Sequence, residues 1–360
     1  MTNENEIILE LCKFLSPDGD RLERLLAESP DYPYILGQLL FHRMGPVGYY
    51  TLKNCGLLSK VNREFRTPLQ AIYEISCEKA DSFQRALQEM KPVWEETDFP
   101  YALLKGAYLV SLYPRGLRTS NDVDVLIRQK DITALSRLLT KAQFRQGNLR
   151  GGEFHPATRT EIISSRMNRG ETIPFIRRED RPRMEYLELD VNFSLDYQPT
   201  GNADVVDALL QNRRKALAGG LYTLDLPDFV LHLCAHLYKE ATVMSWVEMG
   251  RDLSLYKFCD LYLLIHTFFN DGLCETLRTR VKAYGLEAEM LYALHGAKRL
   301  FEIRSEPLDR LIASIPPIAT KRLNRVVDPL RHTQYAYDLD ITEWIFCPNR
   351  KELLYEIGNV

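Results

Sequence analysis

The feature that most constrains the fold is a pair of aspartates inside an apolar segment, "NDVDVLI" at residues 121–127. Side chains alternate between the two faces of a β-strand, so Val123 and Val125 face one way while Asp122 and Asp124 face the other. An ionised carboxylate is costly to bury without a partner. A strand with this pattern must therefore turn one face to an apolar core and the other to a polar site.

A second segment, "EYLELDVNF" at residues 185–193, repeats the pattern. Its leucines and valine share one face, and Glu188 and Asp190 share the other. If the two strands are neighbours, their carboxylates converge and repel one another unless a cation neutralises them. Mg²⁺, or Mn²⁺ in its place, binds carboxylate oxygens together with substrate phosphates, and such ions assist displacement at phosphorus. The alternatives are a solvated face for the second strand and a turn cap for Asp122.

Groups suited to binding phosphate lie just upstream, in "YALLKGAYLVSLYPRGLR" at residues 101–118. The pattern predicts a short strand ending at Lys105 and Gly106, then a two-turn helix that Pro114 stops. Glycine allows a ligand to approach the backbone closely, and Lys105 and Arg118 could reach the same phosphates. Arg118 could equally be an ordinary surface residue. The phosphate-loop pattern GxxxxGK[ST] and the dinucleotide pattern GxGxxG are both absent from the sequence.

These residues together resemble the polymerase-beta-like nucleotidyltransferase superfamily, and more closely its bacterial family of uncharacterised nucleotidyltransferases. The resemblance implies nucleotidyl transfer from a nucleoside triphosphate with a divalent metal ion. By position it makes Asp122, Asp124 and Asp190 the metal ligands and catalytic carboxylates, with Asp190 also a candidate general base. Gly106 becomes the turn glycine of the helix that binds phosphate.

The sequence departs from the resembled pattern at two positions. The superfamily usually has serine or glycine after the turn glycine, where this chain has Ala107. Asn192 stands where the closer family often has histidine. The first departure motivates an alternative function, a catalytically silent nucleotide-binding or regulatory protein with the same fold. A kinase that uses the same triphosphate site is a further alternative.

The order of predicted elements indicates an α+β protein, with a nucleotidyltransferase fold of a short mixed sheet and flanking helices between two helical regions. We predict an N-terminal helical region at 1–97, an α/β core at 98–202 and a C-terminal helical domain at 203–360. The arginine-rich stretch at 145–183 reads as a solvated loop of mixed charge, a hairpin or a flap. The last fifty residues show only weak patterning.

The C-terminal region contains "HLCAHLYKE", which places His232 and His236 one helical turn apart. Two such histidines could bind zinc, but the segment lacks the glutamate of an HExxH motif. A helix that packs on the catalytic domain is therefore the simpler interpretation. His236 and Lys239 remain candidates for contact with the nucleotide or the acceptor. Asp260 falls inside an apolar helical pattern, where a salt-bridge partner is expected.

Composition limits the setting and the partners. The formal net charge of −3 weighs against a protein that acts on nucleic acid, which leaves a small molecule or a protein as the expected acceptor. Seven cysteines without a CxxC pair indicate reduced thiols. The start of the chain lacks the features of a signal peptide, and no apolar run is long enough to span a membrane. We therefore expect a cytoplasmic, Mg²⁺-dependent nucleotidyltransferase.

Overall fold

The structure, a computed structural model, describes residues 1–195, 203–316 and 323–359. Its N-terminal helices are α1 (Asn3–Cys12), α2 (Gly19–Leu26), α3 (Tyr32–Phe41), α4 (Gly45–Asn54), α5 (Arg63–Glu89) and α6 (Lys91–Glu95). The central elements are β1 (Tyr101–Leu103), α7 (Gly106–Leu112), β2 (Asp122–Ile127), α8 (Ile132–Lys141), β3 (Arg145–Arg150), β4 (Glu153–Pro156), α9 (Arg159–Asn168), β5 (Phe175–Arg181) and β6 (Met184–Asn192).

The C-terminal part begins with α10 (Ala203–Gln211), β7 (Arg214–Lys215), β8 (Tyr222–Thr223), α11 (Leu226–Thr242) and α12 (Met244–Glu248). It continues with α13 (Leu255–Phe268), α14 (Asp271–Tyr284), α15 (Glu287–Phe301), α16 (Glu306–Ala313), β9 (Arg325–Asp328), β10 (Thr333–Ala336), α17 (Ile341–Trp344) and β11 (Tyr355–Asn359). None of the helices in the described ranges is both long and apolar enough to cross a membrane.

The chain packs into two compact units. The first combines Met1–Glu74 with Leu233–Val360, and the second is Ile75–His232. The domain boundaries near residues 97 and 202 were placed where the sequence changes from helical to α/β patterns and back, and they stay a prediction. Residue 202 itself lies outside the described residues.

The first unit is built mainly from amphipathic helices. The apolar side chains of α1 at Ile7, Ile8 and Leu11 are fully buried, as their helical spacing predicts. The N-cap of α2 is Asp18, which accepts a hydrogen bond of 2.9 Å from the backbone N–H of Arg21. Asp20 would also suit a cap by residue type, but the helix begins at Gly19 and Asp20 already lies in its first turn.

The second unit contains an eight-stranded mixed sheet in the order β4-β3-β5-β6-β2-β1-β8-β7, as far as the described residues show. β2 pairs antiparallel with β1 and parallel with β6. α7 follows β1 and ends before Pro114, as predicted. α8 buries Ile132, Leu135 and Leu139, which lie on one helix face. The predicted α+β fold with a mixed sheet and flanking helices is confirmed.

The stretch at 145–183 was predicted to be a solvated loop, a hairpin or a flap; the hairpin is present at its start, and the solvated loop was wrong for most of the rest. It forms the hairpin β3–β4, the helix α9 and the strand β5, which extends the sheet beside β6. Its arginines pair with acids along the strands, as Arg177 does with Glu179. The weakly patterned C-terminus likewise contains a three-stranded sheet in the order β11-β10-β9.

Candidate active site

The register between β2 and β6 brings the predicted carboxylates together. The two strands are parallel neighbours, with Asp122 opposite Glu188 and Asp124 opposite Asp190. Residues directly opposite one another on paired strands project from the same face of a sheet. Four carboxylates from two separate segments therefore share one patch of the sheet, which we call the carboxylate cluster.

The opposite face of the same strands is apolar and buried. Val123, Val125 and Leu189 are fully buried, and Val191 is almost so. This burial fixes which face of each strand points to the core, because a slip of one residue would carry every valine to the polar side. The core thus sets the direction of the cluster.

Lys105 supplies a positive charge inside the cluster. Its Nζ donates a hydrogen bond of 2.6 Å to Oδ1 of Asp124, and 17% of the lysine side chain is exposed. The chain turns sharply here, since Lys105 has φ 41° and ψ −114° and α7 begins at the next residue. The N–H of Leu104 also bonds to the Asp124 carbonyl at 2.9 Å. Lys105 is therefore held beside Asp124 by the backbone of its neighbour Leu104 and by its own side chain.

The segment that leads into β2 carries two more polar groups that act on Asp122. The Ser120 hydroxyl donates a short hydrogen bond to Oδ1 of Asp122. Arg118 donates to the carbonyl of Thr119 at 2.6 Å, and its charge is close enough to favour the ionised form of Asp122. Lys105 and Arg118, predicted as phosphate-binding groups, thus both lie within electrostatic reach of the cluster.

The carboxylates differ in how readily they ionise. The pKa of Asp190 lies well above its ordinary value, because burial disfavours the charged form and Asp124 and Asp122 add negative charge nearby. Burial also raises the pKa of Asp124, although the Lys105 ammonium opposes the change. The pKa of Glu188 is raised by burial and by the charge of Asp122.

Asp122 differs from the other three. Burial alone would raise its pKa, but the hydrogen bond from Ser120 and the charges of Lys105 and Arg118 outweigh it, so the pKa of Asp122 is lowered. Asp122 is therefore the most readily ionised member of the cluster, while Asp190 holds its proton most strongly.

Glu171 is a fifth carboxylate that the sequence reasoning missed. Its backbone forms an antiparallel bridge with Asn192, at the end of β6, and its charge helps to raise the pKa of Asp190. Arg169 lies 3.5 Å from its carboxylate. Glu171 belongs to a stretch without strand alternation, so only its pairing with β6 reveals the connection.

Asn192 links two members of the cluster. Its Nδ2 lies 3.5 Å from Oδ1 of Asp124 and 3.3 Å from the carbonyl of Asp190, and only 8% of the residue is exposed. The amide can donate to an ionised Asp124 without adding charge. The Asn192 amide cannot act as a general acid or base, whereas a histidine at this position could.

The donor set suits a hard divalent cation, because carboxylate oxygens are the ligands that Mg²⁺ prefers. In the part of the chain that the structure describes, no three His, Cys, Asp or Glu side chains are already grouped as a ligand set. The Lys105 ammonium instead bonds to the Asp124 oxygen. A cation at this cluster would thus compete with Lys105 for Asp124.

His236 and Lys239, the other predicted substrate contacts, lie on α11 in the part that belongs to the first unit. Nε2 of His236 is 3.5 Å from Oε2 of Glu240, and Glu240 also pairs closely with Lys257. Contact of His236 or Lys239 with substrate stays a prediction. Asp260 on α13 is buried, as its apolar surroundings indicated.

A mixed sheet with flanking helices, with paired carboxylates on two parallel central strands, defines the nucleotidyltransferase class of fold. The sequence model of the family described as uncharacterised nucleotidyltransferase matches residues 28–302. The chain therefore belongs to this family, which confirms the resemblance drawn from its motifs. Membership supports nucleotidyl transfer as the general kind of reaction. No curated protein matches the chain.

Proposed function

We propose that this protein transfers a nucleoside monophosphate from a nucleoside triphosphate to an acceptor hydroxyl and releases pyrophosphate. The observation that carries the proposal is the parallel pairing of β2 with β6, which sets Asp124 opposite Asp190 and Asp122 opposite Glu188. Such a concentration of carboxylates is unfavourable for folding alone, because like charges repel and burial penalises each of them. A functional site explains why the sequence retains them.

Asp122, Asp124 and Asp190 would hold Mg²⁺ or Mn²⁺, which when bound neutralises phosphate charge and polarises the phosphorus centre. Lys105 would exchange its bond to Asp124 for one to the triphosphate, since both partners are anionic oxygens. Arg118 would add a second cationic contact to the phosphates. Gly106 would let the triphosphate approach the backbone where α7 begins.

The chemistry requires one proton acceptor. The acceptor oxygen forms a bond to the α-phosphorus, the bond from that phosphorus to the bridging oxygen breaks, and pyrophosphate leaves. The acceptor hydroxyl gives up its proton, and Asp190 would receive it. Bound metal ions would favour the ionised form of Asp190, and an ionised carboxylate beside the acceptor hydroxyl can accept this proton.

The acceptor would be a small molecule or a protein. The net charge of −3 offers a nucleic-acid backbone little general attraction, and the arginines of β5 pair with acidic side chains. His236 and Lys239 would contact the nucleotide or the acceptor. The cytoplasm, where nucleoside triphosphates and reduced thiols prevail, is the proposed location.

The test measures which phosphate of the nucleotide is transferred to the acceptor. The full-length protein is incubated with Mg²⁺, candidate acceptors, and ATP labelled at the α- or the γ-phosphate. Transfer of α-label with release of pyrophosphate is the expected result. Transfer of γ-label instead would identify a kinase. If neither label is transferred from ATP, nor from the other three nucleoside triphosphates tested in the same way, a silent binding protein is favoured.

Site variants connect any transfer to the cluster. The double variant Asp122→Asn and Asp124→Asn should lower the rate by about a thousandfold or more, since it removes charge stabilisation worth several kcal/mol. Asp204→Asn is the matched control, because Asp204 is an exposed aspartate at the start of α10. Activity that persists in the double variant would disprove the assigned site.

A further inference from the structure

Ser120 occupies the space beside Gly106 that any larger residue would need. A Cβ placed on Gly106 would lie 2.8 Å from both Cβ and Oγ of Ser120. Contacts this short between carbon atoms are strongly repulsive, since the favourable separation is about 3.5–4.0 Å. Gly106 is thus required by its neighbour Ser120, whatever its role in binding phosphate.

The side chain that Gly106 admits is bonded to the carboxylate cluster. Oγ of Ser120 donates to Oδ1 of Asp122, and Ser120 lies two residues before that aspartate. Asn121 lies between Ser120 and Asp122, and its carbonyl accepts a hydrogen bond of 3.2 Å from the N–H of Glu188. This bond ties the backbone between Ser120 and Asp122 to β6. Ser120 is consequently held on one side by the start of α7 and on the other by the connection to β6.

We propose that Ser120 is a positioning residue of this site: its hydroxyl holds the Asp122 carboxylate in one orientation, and Gly106 is glycine in order to admit it. A carboxylate on a strand end has two rotatable bonds, and a charge-assisted hydrogen bond selects one rotamer from them. Orientation matters because a displacement of about 1 Å at a reacting centre can cost about a hundredfold in rate. The inference rests on the proposed function for its effect on catalysis.

The catalytic part is tested with Ser120→Ala. The turnover number should fall by about 10- to 100-fold, the range expected when a group supporting a ligand is removed. KM for the triphosphate should change by less than about threefold, because Ser120 acts through Asp122 and not on the nucleotide. Ser111→Ala is the matched control, since it removes an exposed serine hydroxyl from α7 and should leave both constants unchanged.

Mn²⁺ binding, followed by electron paramagnetic resonance, gives a readout that does not need turnover. Ser120→Ala should weaken Mn²⁺ binding by about tenfold. If the wild type transfers no label but Ser120→Ala still weakens Mn²⁺ binding, the proposed reaction fails and the positioning role stands. If the wild type is active and Ser120→Ala equals it in turnover and Mn²⁺ affinity, the positioning role is overturned. A wild type that neither transfers label nor binds Mn²⁺ overturns both.

The packing part is tested by thermal unfolding of a double-variant cycle. Gly106→Ala should lower the melting temperature clearly in the wild-type background, because the new Cβ collides with Ser120. In a Ser120→Gly background the same change should have much less effect, since the colliding atoms are gone. Equal losses in both backgrounds would overturn the steric argument, independently of any activity.

Discussion

A buried histidine in the first unit should make the stability of this protein fall steeply in mild acid. His42, at the C-terminal end of α3, is completely buried. Its Nδ1 accepts a hydrogen bond of 3.3 Å from the N–H of Leu255, and the rings of Phe41 and Phe346 lie against it. Protonation of Nδ1 would place two donors against each other in an apolar site.

Burial, with the nearby charge of Arg350, lowers the pKa of His42 from its ordinary 6.5 to about 3. The unfolded chain binds a proton near pH 6.5 and the folded chain only near pH 3, so unfolding is favoured as the pH falls through this window. Each pH unit corresponds to about 1.4 kcal/mol. His42 alone should therefore cost about 2 kcal/mol at pH 5 and about 4 kcal/mol at pH 3, with its full contribution to stability present above pH 6.5.

The assay compares wild type with His42→Asn by urea unfolding at pH 7, 6 and 5. Asparagine places its Oδ1 near the position of Nδ1 and can accept the same hydrogen bond, but it does not titrate. Other acids contribute equally to both proteins, so the difference isolates His42. Wild type should lose about 2 kcal/mol more than the variant between pH 7 and pH 5.

Two results would refute this reasoning about His42. One is a constant difference in unfolding free energy between wild type and variant across the pH range. The other is a nuclear magnetic resonance titration in which the His42 ring protonates above pH 5 in the folded protein. His155→Asn, which alters an exposed histidine on β4, should keep the wild-type pH dependence.

Two further predictions concern charged residues. Arg350 forms a buried bidentate ion pair with Asp252, with N–O distances of 2.7 and 2.5 Å. Arg350→Met should lower the free energy of unfolding in urea by about 3–5 kcal/mol, because it leaves the Asp252 carboxylate buried without its partner. Adding Asp252→Asn should recover part of this loss, and a further loss would contradict the pairing. Lys105 adopts φ 41°, a region that glycine tolerates better. Lys105→Gly should therefore unfold with a free energy about 1 kcal/mol higher than Lys105→Met, while both lose transfer activity equally; equal stability of the two would show that Lys105 is unstrained.

Several features of this chain were readable from local sequence because their causes are local. The alternation along β2 and β6 identified a polar and an apolar face on each strand, since the period of two depends only on the strand itself. Pro114 marked the end of α7 for a similar reason, because proline cannot continue a helix. The motif around Asp122 and Asp124 also sufficed to identify the nucleotidyltransferase family, which the match over residues 28–302 confirms.

Other features depended on pairing between distant segments. The strand β5 could not be recognised from the sequence, because most of its residues are charged and show no apolar alternation. Only the structure shows that acidic side chains pair with its arginines, as Glu179 does with Arg177. Glu171 enters the cluster only through its bridge to Asn192. The need for glycine at Gly106 likewise arises from Ser120, which approaches it across a turn.

The sequence by itself determined that two strands each carry carboxylates opposite an apolar face, since that pattern is a property of each strand alone. Only the tertiary structure decided that Asp124 stands opposite Asp190 and that the Lys105 ammonium bonds to Asp124. A shift of two residues would keep every valine in the core and yet pair Asp190 with Asp122. The choice between such registers is made by packing of side chains and connections far apart in the chain, and no local period encodes it.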